Sequence, residues 1–310
     1  MTDPIKTLLV LNPAAGKGKG KKNYQRIHGR LKETFSLLDV RMSDYHGHLF
    51  EIGKEAAAAG YERIISIGGD GTPFELINGL YAQGKPQKLI DLGMIPAGTG
   101  NSFLRDFGDI SQERWIESVL NGKKRPVDLV EFTYRKDNRE VKRYFINILG
   151  IGLISDILKL TNERLKFLGT MGYNLAVLIR LFRGMNNRLS VTVDNGDGTS
   201  ATRHELKNSA LVISNSKYTG GEMKIAPMAE TGDGKVDMIV FNEVNRREIV
   251  DIFLKVFKGT HIQHPRVKVI SGSRFEIQAE PAQLLMADGE LLGETPMTLT
   301  VLPNELSVLV

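Results

Sequence analysis

The residues best suited to chemistry lie in two glycine-rich turns. The first is Gly68-Gly69-Asp70-Gly71-Thr72, which follows the apolar run Arg63–Ile67 and leads into Pro73-Phe74-Glu75 and a helical pattern. Glycines permit backbone shapes that a side chain forbids and let a phosphate come close. Thr72 is a candidate N-cap, Pro73 fits the first helical position, and Glu75 would complete a capping box. A helix start after a glycine turn is a site for an anion. Asp70 is out of place there, because a carboxylate repels a phosphate unless a cation lies between them or the acid moves a proton. We read it as holding a divalent cation, Mg2+. The plain alternative is a capped turn with a surface aspartate.

The second turn, Ala97-Gly98-Thr99-Gly100-Asn101-Ser102, repeats the device, with Asn101 or Ser102 as the expected cap. A louder glycine–lysine run, Asn12-Pro13-Ala14-Ala15-Gly16-Lys17-Gly18-Lys19-Gly20-Lys21-Lys22, fits neither standard phosphate loop. Read as a P-loop, Gly18-Lys19 would need glycine where Pro13 stands and a hydroxyl where Gly20 stands. It is either a mobile basic loop or a phosphate contact of another geometry. His46-Gly-His48 and His261-x-x-His264 have ligand-like spacing but no accompanying metalloenzyme motif, so structural roles are expected.

The elements that position these turns follow from periodicity. Strand-like runs at Lys6–Leu11, Leu37–Met42, Arg63–Ile67 and Asp91–Pro96 alternate with helical stretches, which predicts a doubly wound parallel sheet. In such sheets ligands bind at the carboxyl ends of the strands, where both glycine turns fall. Beyond Arg125-Pro126 period-two alternation takes over, beginning with a hairpin around Asp137-Asn138. Helical stretches interrupt it at about 153–185 and 246–258. The expected domains are 1–125, with 304–310 as a candidate last strand, and 126–303, mostly antiparallel β.

Composition narrows the classes. A chain of 310 residues suits two domains, and the absence of cysteine excludes disulfides, thiolate metal sites and cysteine nucleophiles. The N-terminal apolar run is too short for a signal peptide, and no run approaches the roughly 18 residues of a membrane span. A cytoplasmic protein is expected. The net charge of +5 is concentrated between Pro4 and Lys32, a stretch without an acid. Such a local field attracts polyanions. With no reader motif beside it, nucleic acid is not an expected partner.

Taken together, Asn12–Gly18, Gly68–Leu80, Ile95–Phe107, Phe145–Ile157, Asn215–Phe241 and Met286–Glu290 resemble, in order, the diacylglycerol kinase catalytic family of lipid kinases, which includes sphingosine and ceramide kinases. The resemblance implies an N-terminal α/β domain like those of 6-phosphofructokinase and NAD kinase, and a C-terminal β-sandwich with the lipid site. It implies ATP and Mg2+, with Asn12, Ser43, Gly68, Gly69, Asp70, Gly71, Thr72, Gly98 and Thr99 at the nucleotide. It implies that Glu290 with Asp288 activates a lipid hydroxyl, although Asp288-Gly289 also reads as a hairpin turn. A structural Mg2+ would be held by main-chain carbonyls near Glu230, Asp233 and Lys235, with Asp128 reaching it through water.

Two departures stand out. Pro73 and Phe74 replace an apolar residue and Asn, and Ser102 replaces an Asp of the water-linked network toward the Mg2+. The implied partners are a lipid substrate, a transient membrane surface and a second copy as a homodimer, so the protein would be peripheral to the membrane. Residues 163–188, rich in Leu, Phe, Ile and basic side chains, suit an interfacial helix pair or a cover for the β core. The rival functions are a kinase for a soluble acceptor such as NAD, and a sensing module without catalysis.

Overall fold

The computed structural model describes residues 5–98, 100–152, 187–196, 198 and 200–310. Thr99 and the expected helical stretch at 153–185 lie outside the described residues. The chain divides into two units, Met1–Leu129 with Pro303–Val310, and Val130–Leu302.

The first unit is built on strands buried on both faces. β1 (Thr7–Leu11), β3 (Arg63–Gly68) and β4 (Ile90–Pro96) are short, nearly continuous apolar runs, the pattern that parallel sheets covered by helices require. β2 (Leu38–Met42) pairs with β1, β1 with β3, and β3 with β4, all parallel. Beyond β4 lies the end of the last strand, β15 (Glu290–Leu309), whose Leu306–Val308 segment runs parallel to Ile90–Leu92.

The helices are α1 (Lys19–Thr34), α2 (His48–Ala58), α3 (Gly71–Leu80) and α4 (Gln112–Asn121). Ile27 and Leu31 of α1 and Ile116 and Val119 of α4 pack on Leu9, Leu11, Ile65, Ile67 and Ile95. Burial of each such side chain contributes about 1.5–3 kcal/mol.

The basic N-terminal stretch is less free than its composition suggests. Arg26 and Arg30 of α1 form ion pairs with Glu113 and Glu117 of α4. Lys6 donates to the Ala59 carbonyl at 2.9 Å and lies over the Tyr61 ring.

The second unit is an antiparallel β-sandwich. In one sheet β6 (Arg139–Phe145), β5 (Lys124–Lys136), β15, β13 (Arg274–Glu280), β8 (Arg188–Asp194) and β9 (Thr202–Lys207) lie side by side. The other runs β12 (Val267–Gly272), β11 (Val236–Asn242), β10 (Ser209–Ser214), β7 (Ile148–Ile151), β14 (Leu284–Ala287). The expected hairpin is present: Asp137 and Asn138 both have positive φ and join β5 to β6. Between β11 and β12 stands α5 (Arg246–Val256), opened by a capping box of Asn245 and Glu248. Its Ile252 and Val256 enter a core with Ile148, Val212, Ile239 and Met286.

Candidate functional site

In the first unit the strand tips carry the expected residues. Asn12 follows β1; its amide donates to Ile67 O at 3.0 Å, its Oδ1 accepts from Ala14 N, and its Nδ2 reaches Thr72 Oγ1 at 3.5 Å. Ser43 follows β2, is nearly buried, and donates its amide to Leu11 O at 2.9 Å. The two glycine turns follow β3 and β4 and are joined main chain to main chain. Gly68 O accepts from Ala97 N at 2.8 Å and from Gly98 N at 3.3 Å.

No side chain fits at this junction. A Cβ on Gly98 would stand 2.6 Å from Gly69 Cα, and one on Gly68 would overlap the Thr72 side chain. The glycines therefore serve close approach, not only freedom of turn.

Asp70 locks the second turn to the first. Its Oδ1 accepts from Ser102 N at 2.8 Å. Burial pushes its carboxyl above the usual range, and the amides of Ser102, Asn101 and Phe103 pull it partly back. The expected cap at Asn101 or Ser102 is thus supplied from elsewhere. Ser102 occupies the N-cap position of a short 3-10 turn, Phe103–Phe107, without a side-chain cap bond, and Asn101 turns back to Gly98 O at 3.1 Å.

The helix start also differs from the sequence reading. Asp70 already has helical φ and ψ and is the N-cap of α3, so Thr72 lies in the first turn and donates its amide to Gly69 O. Pro73 falls at the third helical position, where the amide is unpartnered within the helix in any case. Phe74 is buried, so its replacement of Asn serves packing.

Within the second unit, Asp288 and Gly289 both have positive φ and form the two-residue turn from β14 to β15, with Ala287 facing Glu290. Asp288 is buried, and its two oxygens accept from the amides of Ile146, Asn147 and Ile148 at 2.9–3.1 Å. Glu290 is only partly buried. A polar network that the residue patterns did not announce surrounds this anchor. Asn215 Nδ2 donates to Ile146 O at 2.8 Å, and Ser216 Oγ donates to Asn147 Oδ1. Asn147, Asn215 and Ser216 are buried, and only their place in matched segments pointed to them.

Glu230, Asp233 and Lys235 are exposed on the loop before β11, where Asp233 Oδ1 accepts from Lys235 N at 3.0 Å. Asp128, in the first unit, is fully buried and accepts from Asn304 N at 2.8 Å. Among the described residues no group of three or more acidic or histidine side chains could hold a metal. A Mg2+ arriving with phosphates needs only one or two protein carboxylates, and Asp70 fits that requirement.

Comparison with known proteins settles the lineage. Residues 6–132 match the diacylglycerol kinase catalytic domain, and residues 148–310 match the YegS C-terminal NAD kinase beta sandwich-like domain. The chain belongs to the diacylglycerol kinase catalytic family. It is a kinase of that family, and membership implies use of ATP. It is 26% identical to the diacylglycerol kinase of Bacillus subtilis (strain 168), over 93% of this chain and 90% of that one. It is 23% identical to sphingosine kinase 1 of Arabidopsis thaliana, over 94% and 69%.

Solved structures share the family fold. A diacylglycerol kinase from Bacillus anthracis str. Sterne superposes with a TM-score of 0.71 at 21% identity, covering 100% of this chain and 98% of that one. Yeast NADH kinase gives a TM-score of 0.53 at 10% identity, covering 99% and 83%. Among the described residues no helix is long and apolar enough to cross a membrane.

Proposed function

We propose that the protein transfers the γ-phosphoryl group of ATP to the hydroxyl of a lipid of the diacylglycerol or sphingoid class. The observation that carries this reading is the interlocked pair of glycine turns, with Asp70 tied to Ser102 N across them. Such a cradle brings main-chain amides close to phosphate oxygens and holds a carboxylate beside them. Mg2+ supplies charge neutralisation on the phosphates. Phosphoryl transfer asks a protein chiefly for alignment and electrostatics.

Asp70 positions the cation, and Asn12, Ser43 and Thr72 fix the walls of the cradle; Thr99 joins them by family resemblance. Glu290 takes the acceptor's proton. Asp288 keeps the Glu290 turn in place, because its oxygens are engaged with three amides. The loop of Glu230, Asp233 and Lys235 is proposed as a second, carbonyl-lined Mg2+ site. Relatives named for diacylglycerol and sphingosine kinases support a lipid acceptor.

The test is transfer of label from γ-labelled ATP with Mg2+ to a panel of diacylglycerol, sphingoid base, glycerophospholipid and NAD. Label is expected on a lipid hydroxyl alone. Asp70→Ala and Glu290→Gln should each lower turnover by about 10²-fold or more. Label on NAD, label on no lipid, or full activity in both variants overturns the proposal.

A further inference from the structure

Helix α5 carries apolar side chains on two faces. Ile252 and Val256 point into the sandwich core. Val250, Leu254 and Phe257, spaced i, i+4, i+7, form a second stripe on the outer side, with exposures of 45%, 65% and 46%. They are three of the few large apolar residues exposed in the described chain. The Phe253 ring meets Phe257 edge-on at 5.6 Å, which holds the outer ring in place rather than letting it fold back.

The charges beside this stripe are unbalanced. Both acids of the helix are answered: Glu248 closes the capping box and lies near Arg266, and Asp251 pairs with Lys255 at 2.7 Å. Exposed Arg247 and Lys258, which follow the stripe around the helix, have no ion-pair partner among the described residues. Lys224, half-buried with its amide on Val256 O, adds a third cation at the helix end without an ion-pair partner among the described residues.

We propose that this face of α5 docks the protein on an anionic lipid surface, with Val250, Leu254 and Phe257 entering the acyl boundary and Arg247, Lys258 and Lys224 meeting the head groups. The choice of occupant rests on the lipid-kinase reading and on the charge. A second protein copy suits the face less well, because three half-exposed side chains fall far short of the roughly 800 Å² per partner of a stable interface. A narrow apolar stripe edged with basic residues is what interfacial helices use.

The experiment is co-sedimentation of the full chain with vesicles of equal parts phosphatidylglycerol and phosphatidylcholine, and with phosphatidylcholine alone. No ATP is added, so binding is read without catalysis. Wild type should bind the anionic vesicles. Leu254→Ser with Phe257→Ser, and Arg247→Glu with Lys258→Glu, should each weaken binding about tenfold or more. Both variants should keep the wild-type melting temperature and phosphorylate detergent-dispersed acceptor at the wild-type rate. Phe257→Trp should show a blue-shifted emission on adding anionic vesicles.

Wild-type binding in both paired variants, or no emission shift, overturns the docking surface even if label still reaches a lipid. So does a dimer that the serine pair converts to monomer without loss of vesicle affinity, since a second copy would then own the face. Conversely, vesicle binding through α5 with no transfer to any lipid leaves the surface standing and overturns the kinase reading.

Discussion

At the scale of single residues, the site depends on atoms that leave no room for others. A methyl group at position 98 would stand 2.6 Å from Gly69 Cα, so Gly98→Ala must spread the two turns. A displacement near 1 Å in an aligned site lowers kcat/KM by about 10²-fold, which steady-state kinetics would show, and the overpacking should also cost about 1–3 kcal/mol in denaturant unfolding. Asp288 and Glu290 should separate cleanly. Asp288→Asn turns a donor toward amides that need an acceptor and should cost about 1–3 kcal/mol in denaturant unfolding. Glu290→Gln should leave stability unchanged and remove turnover. A loss of stability in Glu290→Gln equal to that in Asp288→Asn would contradict this division of roles.

At the scale of elements, the 3-10 turn Thr260–Gln263, which follows α5, carries a buried titratable group. His261 is fully buried, its Nε2 lies 2.9 Å from Ile225 O, and its Nδ1 has no hydrogen-bond partner. Burial holds its pKa below the ordinary imidazole value of 6.5. A histidine depressed in the folded state resists a proton that the unfolded chain accepts. Its stabilising contribution is therefore complete above about pH 6.5 and declines as pH falls below it, by at most about 1.4 kcal/mol per pH unit. Thermal melts between pH 8 and 5 should show this slope in wild type and a flatter one in His261→Gln.

The elements were also the most legible part of the chain. Strands buried on both faces, such as Leu8–Leu11 and Ile64–Ile67, read as apolar runs interrupted only by Ser66, and Asp137-Asn138 and Asp288-Gly289 read as turns because they accept positive φ. The grip of Asp70 on Ser102 and of Asp288 on Ile146–Ile148 was not legible, because those partners lie 32 and about 140 residues apart. Local periodicity carries no record of such pairs. The start of α3 was misplaced for a related reason: the joining of the two turns, not the side chain of Thr72, sets where the helix begins.

At the scale of the whole molecule, the chain leaves its first unit at Leu129 and returns to it at Pro303. Leu306 and Val308, both fully buried, run beside β4, and Val310 exchanges amide and carbonyl bonds with Lys123. Removing Pro303–Val310 should leave Ile90 and Leu92 without their neighbour, and hydrogen exchange of the β4 amides should rise from slow to fast. During synthesis the consequence is one of timing. The kinase half is translated first but cannot close its own sheet until residues 303–310 have emerged from the ribosome. For that interval the β4 edge is an open template on which another strand could pair.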